Sequence, residues 1–228
     1  MGKTVFESLR MSDLIQYQCG ILRVSSSTRP ALRIIKKNGV RAIVKDYSEN
    51  RFLYRNIMGR FLIWRERKAY RKLSGLKGIP AFLGVIEGTA LVTEEIPGRS
   101  LEGLEKKEAL PEAFFKELRT LVDNFHNRGV AHCDLKRAPN ILMGEDSRPY
   151  IVDWSAAILE KEFRFFPLNR IYRKFIKDDL NGVTKIQIRH CPDSIKPEDK
   201  KRYYYRSKPE TVIRALRDKL RYLLQRIA

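Results

Sequence analysis

The chain has 228 residues, enough to bury roughly 70% of its extended surface, so it needs no disulfide or metal staple to hold one domain. It carries 46 Lys and Arg against 27 Asp and Glu, a formal charge of +19, which suits phosphate, nucleic acid or anionic lipid, or else plain solubility. Cys19, Cys133 and Cys191 cannot all pair, no uncharged run spans a bilayer, and MGKTVFESLR has neither a secretory core nor a myristoylation pattern, so the expectation is a cytoplasmic protein with reduced thiols.

The first third reads as strands. The stretch 21–24 is short and apolar apart from Arg23, and Ser25-Ser26-Ser27-Thr28-Arg29-Pro30 reads as a loop. Segments 31–36 and 40–47 flank Asn38-Gly39, a strong hairpin signal, which puts Lys45 near the end of a strand. Residues 51–73 hold eight basic residues and one acid, Glu66. Their second half predicts a helix, with Phe61, Leu62, Trp64, Arg65, Ala69 and Leu73 as its stripe. Strands at 82–87 and 89–94 follow, split by Gly88 and ended by Pro97-Gly98.

Residues 111–128 predict the clearest helix. Pro111 suits the first turn, Gly129 the position past the end, and Phe114, Leu118, Leu121, Val122 and Phe125 form a buried stripe. A tight strand pair is expected at 141–143 and 150–152, and mostly helix thereafter. Ile213, Leu216, Leu220, Leu223 and Ile227 step by 3 and 4, as a final amphipathic helix would.

Two short stretches carry the chemistry: HCDLKRAPNIL from His132 to Leu142, and IVDWSAA from Ile151 to Ala157. Phosphoryl transfer needs metal ions and a cation to neutralise a nucleotide, and a carboxylate to take the proton of the attacking hydroxyl. Mg²⁺ prefers oxygen ligands, and Asp153 and Asn140 are the right types. Asp134 is the candidate base, and Lys136 stands ready to steady the migrating phosphoryl group. Lys45 suits the distal phosphates if a carboxylate orients it, and Glu66 is that carboxylate. Each residue alone has an ordinary reading. Asp134 would be a solvated surface acid, Asn140 a turn cap, Lys45 a snorkelling strand lysine and Glu66 a plain salt-bridge partner. Asp153 is harder to dismiss, because a carboxylate closing a buried strand is costly unless paired or metal-bound. His132 reads as a packing and hydrogen-bonding residue.

In order and spacing these residues resemble the protein-kinase superfamily. Lys45 in RAIVK precedes Glu66 in WRERKAY by 21 residues, and Asp134 precedes Asp153 by 19. The resemblance covers residues 14–160. It implies an α+β, two-lobed protein-kinase-like fold, with a small β-rich N-lobe over 1–97 and a shortened helical C-lobe over 98–228. Within the latter it implies a catalytic loop at 132–142 and a metal loop at 153–155. It implies ATP and Mg²⁺ as cofactors. LVTEEIPG resembles the hinge, which implies Thr93 as gatekeeper, the Glu94 and Ile96 backbone facing adenine, and Leu142 in the nucleotide site. Asp178 or Asp179 is implied as a brace for the catalytic loop.

The chain departs from the family pattern in several places. Asn140 follows Asp134 by six residues rather than five, so one residue must bulge near Ala138-Pro139. Cys133 replaces an arginine that grips activation-loop phosphate, contact a thiol is unable to make. Trp154 and Ser155 replace Phe and Gly, serines replace first-loop glycines, and the peptide-gripping segment is missing. These features are similar to two smaller branches, the RIO-type atypical kinases and the bacterial lipopolysaccharide-core (heptose/Kdo) kinases. DDLNGVTKIQIRHCPDSIKPEDKKRY looks more like the second. The leading expectation is a kinase acting on a sugar hydroxyl of lipopolysaccharide core, working peripherally on the inner face of the cytoplasmic membrane. Arg51, Arg55, Arg60, Phe52, Tyr54 and Trp64 would touch the anionic surface. The alternatives are a RIO-like serine/threonine protein kinase near RNA, a nucleotide-binding pseudokinase, and a plain nucleic-acid binder.

Overall fold

The computed structural model describes residue 6 and residues 9–104 and 109–204. The stripe from Ile213 to Ile227 lies outside those residues. The chain divides into two compact units. One holds the described residues up to Arg67 with Phe82–Glu95, the other Lys68–Ala81 with Ile96–Tyr204.

The first unit is built on an antiparallel sheet of β1 (Gln18–Arg23), β2 (Ala31–Lys37), β3 (Val40–Asp46), β4 (Phe82–Ile86) and β5 (Ala90–Glu94), in the order β1-β2-β3-β5-β4. Asn38 and Gly39 have φ of 50° and 79°, the left-handed pair that a two-residue hairpin matched to strand twist demands, and they pin Lys37 opposite Val40. From there the register runs unbroken to Lys45, which faces Leu32 on one side and Leu91 on the other. Ile35, Ala42, Val44, Val92 and Ile86 form the core with Phe6, Leu9 and Leu14. β1 begins three residues before the expected strand and ends at Arg23, leaving Val24 exposed.

A turn of helix at Phe52–Tyr54, a π-helical stretch at Arg55–Gly59 and α1 (Arg60–Lys72) follow one another without a break. The expected stripe holds at Ala69 and Leu73, which are buried, and fails in the first half of the helix. Phe61 and Trp64 are exposed and rest on each other at 5.8 Å, and the buried side is Ile63, Glu66, Ala69, Tyr70 and Leu73. Hydropathy assigns Glu66 to solvent; its partner on β3 brings it inside. Tyr54, expected at a membrane surface, is buried, and its hydroxyl donates to the Thr28 carbonyl.

In the second unit, α2 (Glu112–Asn127) begins just after Pro111 and ends before Gly129, whose φ is 69°. Its whole expected stripe is buried, with Phe115 added. β6 (Gly98–Ser100), β8 (Ile141–Gly144) and β9 (Pro149–Ile151) make a small sheet, and β7 (Val130–Ala131) pairs with β10 (Ile158–Leu159). The tight pair expected around 144–149 is β8–β9, with Ile141 opposite Ile151. α3 (Leu168–His190) and α4 (Pro197–Tyr204) complete the unit. Arg119 of α2 ties them together: it donates to Gln187 and Thr184 and pairs with Asp199 at 3.0 Å. No helix among the described residues is long and apolar enough to cross a membrane.

Candidate active site

The candidate residues fall into two groups, one in each unit. In the first unit the Lys45 ammonium meets Glu66 Oε2 at 2.8 Å, with side-chain exposures of 11% and 2%. The hairpin register sets where Lys45 emerges, and the helix phase sets where Glu66 does. A pair this buried gains its Coulomb energy in a medium that screens weakly, but only because both charges are present. Thr93 and Glu94 close β5, opposite Ile43 and Ala42; Thr93 is buried and Glu94 exposed. Ile96 opens the next stretch of chain, half-buried, in the second unit.

The second group is a single hydrogen-bonded knot. Asp179 of α3, 1% exposed, accepts from the backbone N–H of His132 at 2.7 Å and of Cys133 at 2.9 Å, and meets His126 Nε2 at 3.1 Å. The sequence left Asp178 and Asp179 open as the brace, and the structure puts Asp179 there while Asp178 is exposed. A carboxylate collecting two buried N–H groups fixes the backbone entering the loop, where Cys133 takes a φ of 67°.

His132 is fully buried. Its Nδ1 lies 3.3 Å from the Asp134 N–H and its Nε2 lies 3.0 Å from the Val152 carbonyl. One nitrogen therefore accepts and the other donates, which defines the neutral tautomer with the proton on Nε2. The ring thus couples the backbone of Asp134 to the residue before Asp153. Trp154, also fully buried, stacks edge-on against His132 at 4.6 Å and Phe125 at 5.1 Å, and anchors the metal-loop candidate in the core.

Asn140 is 3% exposed, and its amide nitrogen donates to the Asp134 carbonyl at 3.0 Å and to Asp134 Oδ2 at 3.3 Å. Both neighbours are acceptors, so the nitrogen is the atom facing them and the amide oxygen points elsewhere. The extra residue between Asp134 and Asn140 is taken up by a 3-10 turn at Ala138–Asn140, and Asn140 still reaches back to Asp134. The Asn140 carbonyl accepts from Val152, a second link between the two loops. Leu142 sits on β8 between Ser100 and Tyr150.

Asp153 has φ 63° and ψ 68°, a left-handed conformation that an Asp tolerates better than most residues. The left-handed residue of this loop is Asp153, and Ser155, which stands where the family has glycine, lies in a 3-10 turn. The Ser155 hydroxyl donates to Asp153 Oδ1 at 2.7 Å, so the residue replacing glycine holds the carboxylate. Arg137 reaches Asp134 at 3.4 Å, a contact that no motif announces. Lys136 is half-buried, and its carbonyl accepts from Lys185 at 3.2 Å.

A carboxylate and an amide oxygen held on adjoining loops fit Mg²⁺, which takes oxygen donors and completes its shell with phosphate and water.

No family model matches the chain, and no curated protein does. Among solved structures, the Rio2 kinase from Chaetomium thermophilum aligns at 13% identity with a TM-score of 0.57, over 84% of this chain and 65% of that one. The Rio2 kinase–ADP/Mg²⁺-phosphoaspartate complex from the same organism aligns at 13% identity and 0.56, over 84% and 63%. The chain has the protein-kinase-like fold. It spans about 65% of the length of that Rio2 kinase, and the likeness is one of architecture: an antiparallel N-lobe sheet with a shortened helical part.

Proposed function

We propose that this chain is an ATP- and Mg²⁺-dependent phosphotransferase with a hydroxyl acceptor. The observation that carries the reading is the knot of the second unit. Asp134 is held by Asn140, its loop is held by Asp179, and His132 joins that loop to the segment bearing Asp153. A fold that shares its architecture with a structure containing ADP and Mg²⁺ adds support.

In this reading Asp134 accepts the proton of the acceptor hydroxyl as it attacks, and Lys136 stabilises the charge of the migrating group. Asn140 and Asp153 hold Mg²⁺, which neutralises phosphate charge when bound. Lys45, oriented by Glu66, binds the distal phosphates, while the backbone at Glu94 and Ile96 and the Leu142 side chain hold the adenine. The domains follow as an N-lobe over 1–97 and a C-lobe over 98–228.

The favoured acceptor is a sugar hydroxyl of lipopolysaccharide core. Only 14 residues separate Asp153 from the start of α3 at Leu168, too short a passage for an extended peptide-gripping segment. The +19 charge suits a phosphate-bearing lipid on the inner face of the cytoplasmic membrane. The likeness to Rio2 favours the second reading, a RIO-like serine/threonine protein kinase.

Asp153→Ala is expected to abolish the thermal stabilisation that ATP with Mg²⁺ confers on the parent protein. Undiminished stabilisation removes Asp153 from the metal site. Radiolabelled ATP offered with core lipid, casein-like protein and RNA side by side is expected to label the lipid. Label in protein alone establishes the second reading, and nucleotide bound without label anywhere establishes a pseudokinase.

A further inference from the structure

Between Glu162 and the first turns of α3, wholly within the second unit, four large apolar side chains are exposed. Phe165 is 78% and Phe166 69% exposed, and Leu168 and Ile171 join them. Leu168 and Ile171 are three apart on the helix and share a side. The Phe165 carbonyl accepts from the Asn169 N–H, which holds the Phe165 backbone against that first turn. The inner side of the same turns is filled by Tyr172, which is buried and meets Phe163 at 6.4 Å. A phenylalanine carries roughly 200 Å² of surface, so these two alone leave on the order of 300 Å² uncovered, within the range of patches that are often functional.

The segment carries charge of one sign. From 164 to 177 the chain has Arg164, Arg170, Arg173, Lys174 and Lys177, and no acid. The acids on either side are Glu162, which accepts from Lys68 and the Leu159 N–H, and Asp178. The Arg170 guanidinium lies over the Phe166 ring at 4.8 Å, so a cation sits directly on an exposed apolar group. A protein–protein interface clears charge from its apolar centre, whereas here the cations are interleaved with it. Aromatic and aliphatic groups among cations match the boundary between acyl chains and anionic headgroups, where the former enter the boundary and the latter meet lipid phosphate.

We propose that residues 164–177 form a docking surface for an anionic lipid bilayer and seat the second unit on it. This surface is separate from the one expected over residues 51–64, which belong to the first unit. It is joined at both ends to the catalytic-loop candidate. Leu159, a few residues before it, pairs with Val130 ahead of His132, and Asp179, just after it, accepts from the His132 N–H. In the phosphotransfer reading, on which this sentence alone rests, the acceptor hydroxyl is one carried on a lipid.

The test is co-sedimentation of the full chain, without nucleotide, with phosphatidylcholine vesicles that contain or lack phosphatidylglycerol. Phe165→Ser/Phe166→Ser removes apolar groups, and Arg170→Gln/Arg173→Gln removes cations. Lys116→Gln/Lys200→Gln, at exposed sites on α2 and α4, controls for the loss of two charges elsewhere in the unit. The parent is expected to prefer the vesicles with phosphatidylglycerol, and each of the first two variants to bind them about tenfold more weakly, with the control within about twofold of the parent. All the replaced groups are exposed, so the urea midpoint and the oligomeric state by sedimentation velocity are expected to stay those of the parent. Either variant binding as the parent does, the control losing as much, or plain phosphatidylcholine binding equally well overturns the proposal. So does a phenylalanine variant with a lowered midpoint, which means that the chain covers this face itself, or one that dissociates a parent dimer, which means that a second copy does. No nucleotide or turnover enters the measurement. Its failure therefore leaves the phosphotransfer reading standing, and failure of the Asp153→Ala test leaves the lipid contact standing.

Discussion

At the scale of single residues, chemistry is set by what each side chain is bonded to. Asp134 is held from two directions, by Asn140 and by Arg137, and both orient the carboxylate without filling the role of an acceptor hydroxyl. Asp134→Asn keeps the shape and removes the proposed base. It is expected to retain the stabilisation by ATP with Mg²⁺ while turnover falls by a factor of about 10² or more in a single-turnover assay. An Asn variant as active as the parent removes Asp134 from the mechanism. Glu66 shows how far burial depends on a partner. With 2% of its side chain exposed, it meets the Lys45 ammonium at 2.8 Å. Glu66→Ala removes the carboxylate that meets that ammonium at 2.8 Å in a buried place. The expected loss is about 3–5 kcal/mol, read from the urea midpoint at unchanged slope. A loss below about 1 kcal/mol would show a solvated pair instead.

At the scale of elements, α3 determines whether the catalytic-loop candidate has a fixed shape. Asp179 and Gly182 stand one turn apart on its buried side. Asp179 bonds the loop at His132 and Cys133. Gly182 lets the helix backbone come so close that a Cβ there would lie 2.8 Å from the Lys136 N and 2.9 Å from the Leu135 carbonyl carbon. Those are backbone atoms, which are unable to rotate away. Gly182→Ala is therefore expected to destabilise by about 1–3 kcal/mol despite the better helix propensity of alanine, and to slow turnover as the loop shifts. Gly182→Ala with raised stability and full turnover would mean that α3 yields without cost. Both lie in the quoted stretch from Asp178 to Tyr203, where the resemblance implied Asp178 or Asp179 as the brace and gave Gly182 no role. Their i and i+3 spacing on one face was the available signal, and it becomes decisive only when the loop is seen against that face.

At the scale of the whole molecule, a charge of +19 coexists with an exposed apolar face on the helical segment after β3. Phe52 is 73% exposed, and Leu53, Ile57, Phe61 and Trp64 join it, with Arg51 and Arg60 alongside. Apolar groups of this size flanked by arginines suit the headgroup boundary of an anionic bilayer. Binding to vesicles containing phosphatidylglycerol is expected to weaken about tenfold in Phe52→Ser/Trp64→Ser, and to fall steeply as salt rises above about 0.15 M. Co-sedimentation that ignores both changes excludes this face as the contact.

Much of the architecture could be read in the chain because it is local. Asn38-Gly39 demands one turn geometry, Pro111 and Gly129 bracket a helix, and the spacing of Lys45, Glu66, Asp134, Asn140 and Asp153 announces a kinase-like order. Other features were decided only in three dimensions. The buried side of α1 takes in Glu66, paired with a strand lysine, beside Ile63, Ala69, Tyr70 and Leu73, and leaves Phe61 and Trp64 exposed. The choice of Asp179 over Asp178, the turn that absorbs the residue before Asn140, and the Ser155 bond to Asp153 likewise depend on partners far along the chain. Hydrophobic periodicity reports each side chain's transfer free energy by itself, whereas a buried charge or a close backbone approach depends on whether a distant group arrives to match it. The sequence alone determined the elements and the order of the candidate groups; tertiary packing decided which polar atoms those groups face.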